Sequence, residues 1–272
     1  MPEHKIKVPN SEMNLSIHIT VGGLSFFTHN PSTGRVSKIH KKQFSLSLPI
    51  EKLHEEIYNE LKAQNLIGQA FDKVRCSVEN NLATLVPKSL FEENALHEYV
   101  KKDIDIQNND FITYDIFPST DWVTVYVPFV NVNNMLIDAF GSFTYFHAVS
   151  IWLHALSKHP TADGNLVWSM YKENKHIHLA LLRDNKLQFY NCFEVDNPKD
   201  VAYFTLLMAN KNNISPNEVP LFVAGDIIED DPTHKELFTF IRSINFLTPQ
   251  NDALSAAPRL NAHQDFCLLN LG

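Results

Sequence analysis

The stretch Leu15–Phe27, LSIHITVGGLSFF, decides how the chain is read. Leu15, Ile17, Ile19 and Val21 alternate with Ser16, His18 and Thr20, and strand side chains point alternately to opposite faces. A second alternating run, LSFFTHN, follows Gly22 and Gly23. A Gly-Gly pair between two such runs predicts a two-residue hairpin, because the primed turns that match strand twist need positive φ. The competing reading is a loop whose backbone N–H groups cradle a phosphate.

Working outward, NPSTGR predicts a second turn and VSKIHKKQFSLS a third strand, which completes a meander. A helix then starts near Pro49, with Leu53, Ile57 and Leu61 at helical spacing and Glu51, Glu55 and Glu56 in its early turns. DKVRCSVE and ATLVP predict strands, and KSLFEENALHEYVKK a second helix. Further along, NLVWSMYKENKHIHLALLRDNKLQFYNCFEV again predicts three strands, turning at Lys172-Glu173-Asn174 and at Asp184-Asn185. Asn197, Pro198 and Asp200 open a helix with Val201, Phe204, Thr205 and Met208 on its inner stripe. VPLFVAGD has the continuous apolar character of a buried parallel strand, Asp231-Pro232 caps a helix through Ile241, and SINFLTP closes as a strand.

The order meander, helix, strand, helix thus occurs twice. Between the copies, FITYDIF and DWVTVYVPFV predict strands, and helices are expected near Asn131–Ala139 and His147–Lys158. No Pro/Gly/Ser-rich linker separates the halves. The expected fold class is α/β, with two related lobes packed together. Each lobe is a mixed sheet, a three-strand antiparallel meander plus parallel strands, with flanking helices. The expected lobes are 1–118 and 119–272, with the boundary falling between about 110 and 160.

This duplicated pattern resembles the actin-like ATPase fold, with ribonuclease H-like lobes, shared by sugar kinases and Hsp70-type chaperones. More narrowly, LSIHITVGGLSFF, ATLVPKSLF, FTYFHAVSIWL and the closing HQDFCLLNL resemble an uncharacterised bacterial family of that fold, a domain of unknown function. The resemblance implies a nucleotide site between the lobes. In active members an acidic residue two positions before a glycine of the first hairpin helps hold the metal that neutralises the triphosphate. Here Thr20 stands at that position, before Gly22 and Gly23. The matching turn of the second half, Tyr171–Lys175, has no glycine to let backbone approach a phosphate. Where active members often carry Gly-Gly beside the adenosine, this chain has Gly225 followed by Asp226.

The resemblance therefore implies a degenerate nucleotide site, with Thr20, Gly22, Gly23, Gly225 and Asp226 as its candidate positions. No catalytic residue, metal ligand or cofactor is assigned. The role expected is a non-catalytic binding or scaffold protein with a protein partner. The alternative is a nucleotide-binding protein or ATP- and Mg-dependent phosphotransferase whose rearranged site takes its metal carboxylate from Asp226.

The remaining features narrow this. A 44% hydrophobic, 20% charged chain of 272 residues is ordinary for a globular protein with a sizeable core. A net charge of −8, with only short basic clusters at His40–Lys42 and Lys101-Lys102, argues against a nucleic-acid partner. The segment MPEHKIKVPN lacks the apolar stretch of a secretory signal, and FGSFTYFHAVSIWLHALSKH is too polar for a membrane span. Cys76, Cys192 and Cys267 are scattered and form no C-x-x-C; with the other features, a cytoplasmic location is expected. Cys76 and Cys192 read as buried small apolar residues, and Trp122, Trp152 and Trp168 as core. His176 and His178 share a strand face that reads as exposed, without a third ligand for zinc. His147 and His154, seven apart, share a helix face and read as buried or interfacial. The acids of IIEDDP read as a solvated capping turn.

Overall fold

In the computed structural model, residues 12–45, 47–101, 110–159, 166–249 and 262–271 are described. Strand β1 (Asn14–Thr20) pairs antiparallel with β2 (Gly23–Asn30). The third-strand position is shared by β3 (Arg35–Val36) and β4 (His40–Gln43), both antiparallel to β2. After α1 (Leu53–Ala63), β5 (Lys73–Glu79) runs parallel to β1. The apolar face of β1, Leu15, Ile17 and Ile19, meets Leu53, Ile57 and Leu61 of α1, as helical spacing requires. Its other face, Asn14, Ser16, His18 and Thr20, is polar and also buried. That face points toward the second lobe.

A small antiparallel sheet follows, formed by β6 (Ala83–Pro87), β7 (Thr113–Ile116) and β8 (Trp122–Tyr126) in the order β6-β8-β7. The helix expected over KSLFEENALHEYVKK is mostly replaced. Two 3-10 turns flank extended Phe91 and Glu92, and only α2 (Leu96–Val100) is helical. Tertiary contacts outweigh helix propensity here: the Phe91 ring lies 4.8 Å from Tyr114, and Tyr99 Oη donates to Leu90 O at 2.8 Å while accepting from Glu92 N–H at 2.8 Å. Lys102, Leu46 and MPEHKIKVPN, which entered the sequence reading, lie outside the described residues.

The chain returns through α3 (Val130–Phe140) to β9 (Thr144–His147), which pairs parallel with β5, and then α4 (Ala148–Leu156). Chain beyond residue 118 thus still supplies the first sheet. β9 lies in FTYFH, for which the sequence predicts no strand, and it takes up His147, the expected first residue of the helix. His147 is the N-cap of α4, its Nδ1 accepting from Val149 N–H at 3.3 Å, so it does not share a helix face with His154.

The second lobe comprises β10 (Leu166–Glu173), β11 (His176–Arg183), β12 (Lys186–Glu194), α5 (Pro198–Lys211), β13 (Leu221–Gly225), α6 (Pro232–Phe238) and β14 (Ile244–Phe246). Asn197 and Asp200 form a reciprocal capping box with Pro198 in the first turn, as the sequence predicts. The sheet order β12-β11-β10-β13-β14 repeats the order β3-β2-β1-β5-β9 of the first lobe. Two lobes of one topology are therefore present.

The terminal helix α7 (Phe266–Leu269) packs on α4, β1 and β5, after His263 Nε2 has met Ile227 O of the second lobe at 2.7 Å. One cluster contains Phe27, Trp122, Trp152, Val167, Tyr171, Leu247 and Phe266. It is a core shared by the lobes. Trp168 is buried in a separate cluster beneath α5.

Candidate functional site

The two equivalent hairpins meet face to face. Thr20 pairs with Gly23, so the first loop is Val21-Gly22 rather than Gly22-Gly23. Glu173 pairs with His176, so the second loop is Asn174-Lys175, one residue later than expected. Neither Gly22 nor Gly23 has positive φ. Their small size serves close approach instead. A Cβ on Gly22 would sit 2.8 Å from Asn174 Oδ1, and one on Gly23 would sit 3.0 Å from the Lys42 carbonyl of β4.

Asn174 fills the position between the loops. Its Nδ2 lies 3.5 Å from Thr20 Oγ1 and 3.4 Å from Glu173 Oε1. Its backbone N–H donates to Asp226 Oδ2 at 3.2 Å, and its carbonyl accepts from Lys172 Nζ at 3.0 Å. Gly22 N–H donates to Thr20 Oγ1 at 3.2 Å. Gly225 ends β13 with φ +86°, and a Cβ there would fall 1.9 Å from Lys172 O. Asp226 N–H then donates to that same carbonyl at 2.7 Å. Thr20, Gly22 and Asp226 thus meet Asn174, whereas Gly225 packs on Lys172 and Gly23 faces β4.

Behind this contact lies a buried polar layer. Glu79 ends β5 beside Thr20, and its Oε1 lies 3.2 Å from His178 Nε2 of the second lobe. His178 Nδ1 reaches Tyr190 Oη at 3.1 Å. His18 Nδ1 meets Ser77 Oγ at 2.6 Å, and its Nε2 lies 4.0 Å from Glu173 Oε2. Tyr171 Oη donates to that carboxylate oxygen at 3.1 Å. Burial alone would lower the His178 pKa, but its contacts with Tyr190, Cys192 and Glu79 outweigh burial and hold it well above the usual value. The contact of His178 with Glu79 bridges the lobes. Desolvation first and Glu173 second raise the Asp226 pKa, although its carboxylate reaches the surface.

His178 is only 1% exposed, contrary to the exposed face expected for it. β11 lies between β10 and β12, and His178 points from there toward Glu79. Cys192, expected to be buried, is half-buried, because β12 is the outer strand of its sheet. Cys76 and the three tryptophans are buried as expected. Sequence reasoning missed Glu79, His18, Glu173 and Asn174. The available signal was polar residues alternating with core residues along strands leading to the two hairpins. Among the described residues, no group of three or more His, Cys, Asp or Glu is arranged to hold a metal ion. No described helix is long and apolar enough to cross a membrane.

Residues 5–244 match the family described as "Protein of unknown function (DUF3822)". The chain belongs to the DUF3822 family. This family member shares its fold with a Bacteroides thetaiotaomicron protein of actin-like ATPase fold and unknown function, at TM-score 0.78 and 18% identity over 91% of this chain and 96% of that one. The PilM-PilN type IV pilus biogenesis complex matches at TM-score 0.56 and 11% identity, over 97% and 98% of the two chains. Ethanolamine utilization protein EutJ from Carboxydothermus hydrogenoformans matches at 0.50 and 10%, over 94% and 88%. These likenesses establish the actin-like fold of this DUF3822 chain. A search of curated proteins finds no match.

Proposed function

We propose that this DUF3822 chain is a non-catalytic, cytoplasmic binding or scaffold protein whose actin-like nucleotide site is degenerate. The observation that carries the reading is Asn174 lodged against Gly22 and Thr20, in the space where two phosphate-contacting hairpins of this fold would flank a nucleotide. A triphosphate would have to displace Asn174 and approach the buried Glu173 carboxylate beside it. Its negative charge would be opposed by that carboxylate. The PilM-PilN match supports a protein partner, since that structure is a type IV pilus biogenesis complex. The acidic balance supports a partner other than nucleic acid. We place the lobe boundary between α4 and β10, at the far end of the expected window, because β9 pairs with β5.

Thermal unfolding with MgATP tests this reading. A ligand at a hundredfold over its Kd stabilises the native state by about 2.7 kcal/mol, which gives a clear rise in Tm. Millimolar MgATP is expected to leave Tm unchanged. A rise abolished by Gly22→Val, or Mg-dependent ATP hydrolysis lost in Asp226→Asn, would replace this reading with the rearranged phosphotransferase.

A further inference from the structure

Surface grooves lie away from the hairpin contact between the lobes. One, of about 680 Å³, runs between β6, the outer strand of the small sheet, and β12, the outer strand of the second lobe. It lies within the range of about 300–1,000 Å³ typical of ligand sites. Both walls are strand edges, and the registers show which backbone groups face into it.

On β6, Val127 N–H donates to Leu82 O at 3.0 Å and Lys88 N–H to Asp121 O at 2.8 Å. Hydrogen-bonded pairs alternate along an antiparallel ladder, so Leu82, Thr84, Val86 and Lys88 turn their backbone toward β8. Ala83, Leu85 and Pro87 turn theirs outward. On β12, Val195 N–H donates to Lys175 O at 2.7 Å, which sets Phe193 and Asn191 toward β11. Tyr190, Cys192 and Glu194 therefore turn outward. All six outward residues line the groove. Cys192 N–H is taken by the Asn191 side chain at 2.9 Å. Among the described residues, the outward N–H and C=O groups of Ala83, Leu85, Tyr190 and Glu194 meet no partner, and the Pro87 carbonyl opens the 3-10 turn at Lys88–Leu90. Such edges recruit a further strand unless they are blunted, and Pro87 blunts only one end of β6.

The chemistry of the lining selects the occupant. Donors and acceptors at every second residue on both walls match the repeat of an extended chain, and five residues of β6 offer about 17 Å of edge. Leu85 and Leu187 are half-buried against the shared core and present apolar surface. Asp121 and Glu194 are exposed, have no ion pair among the described residues, and no Lys or Arg lines the groove. Resting on the reading of the chain as a binding protein, we propose that this groove receives an extended segment of a partner protein, added as a β-strand and carrying lysine or arginine.

The test selects random peptides of about a dozen residues, displayed on phage, against the full chain and measures the enriched peptides by fluorescence anisotropy. Enriched peptides are expected to alternate apolar residues with Lys or Arg, and to slow amide exchange at Ala83, Leu85 and Tyr190. Ala83→Pro removes an outward N–H without breaking the ladder to β8, and is expected to weaken binding tenfold or more. The double charge reversal Asp121→Lys, Glu194→Lys is expected to do the same, with circular dichroism confirming that both variants fold. The proposal fails if no peptide is enriched, if both variants bind undiminished, if exchange slows elsewhere, or if the groove only mediates self-association. Such a failure, with MgATP still inert, removes the groove alone; MgATP binding removes the broader reading.

Discussion

Gly22 and Asn174 make the contact between the lobes, Gly225 shapes the backbone behind it, and each is constrained differently. Gly225 combines φ +86° with a backbone carbonyl where a Cβ would be, and neither constraint can relax by rotating a side chain. Gly22 meets only the end of the Asn174 side chain, which can turn away. Gly225→Ala is therefore expected to cost more than about 3 kcal/mol, whereas Gly22→Ala costs about 1–2 kcal/mol through overpacking. In an Asn174→Gly background the Gly22→Ala cost should largely vanish, since Asn174 has φ 49° and glycine suits that backbone. Urea denaturation of the four members of this cycle provides the check. Equal costs in both backgrounds would mean that the two hairpins do not press on one another. None of this coupling was legible in LSIHITVGGLSFF. Turn chemistry assigned the glycines to positive φ, whereas Asn174, about 150 positions away, dictates the need for Gly22, and the Lys42 carbonyl that for Gly23.

At the scale of elements, regular patterns were readable and exceptions were not. The Leu53, Ile57 and Leu61 stripe and the Asn197 capping box were visible because local spacing alone determines them. The short β9 and the broken helix before α2 were not, because pairing to β5 and the Phe91–Tyr114 contact decide them. The start of α4 shows what such hidden contacts do. Asp115 Oδ2 accepts from Ser150 Oγ at 2.6 Å and from His147 N–H at 2.7 Å, while Tyr126 Oη donates to Oδ1 at 3.0 Å. Burial raises the Asp115 pKa to about 6 despite these three bonds. Burial, with repulsion from His178, lowers that of His147 to about 3. A raised folded pKa gives stability that is full below the unfolded value and lost as pH rises through about 6. A lowered one gives stability present above the unfolded value and lost as pH falls toward 3. Between about pH 4 and 6 the native state holds the Asp115 proton and lacks the His147 proton, so the two slopes cancel. Asp115→Asn should expose the His147 term. Its unfolding free energy, measured by urea titration, is expected to rise with pH across that window by about 1.4 kcal/mol per unit relative to the parent. Parallel pH profiles would show that these groups do not titrate as a buried pair.

For the whole molecule, the repeated order of elements made the two lobes legible, and nothing in that order revealed how firmly they join. Three connections do so. The Glu79–His178 pair crosses between the sheets, the shared core runs from Phe27 and Trp152 to Tyr171 and Leu247, and the chain crosses back so that α7 seals the first lobe. Arg75 Nη1 donates to Leu271 O at 3.0 Å and fixes the end of that helix. Lobes that open around a ligand need a weak interface, whereas a continuous apolar core makes them one cooperative unit. Scanning calorimetry is therefore expected to show a single transition. Leu268 is fully buried where α7 enters the shared core, so Leu268→Ala should cost about 2–5 kcal/mol and lower Tm by roughly 5–15 °C. The decisive feature is the shape of the endotherm. One peak displaced as a whole means that removing a few methyl groups from a helix sealing the first lobe also destabilises the second. A split into two peaks, with the second lobe melting at its original temperature, would show that the lobes unfold independently and that the core between them does not hold the inter-lobe contact shut.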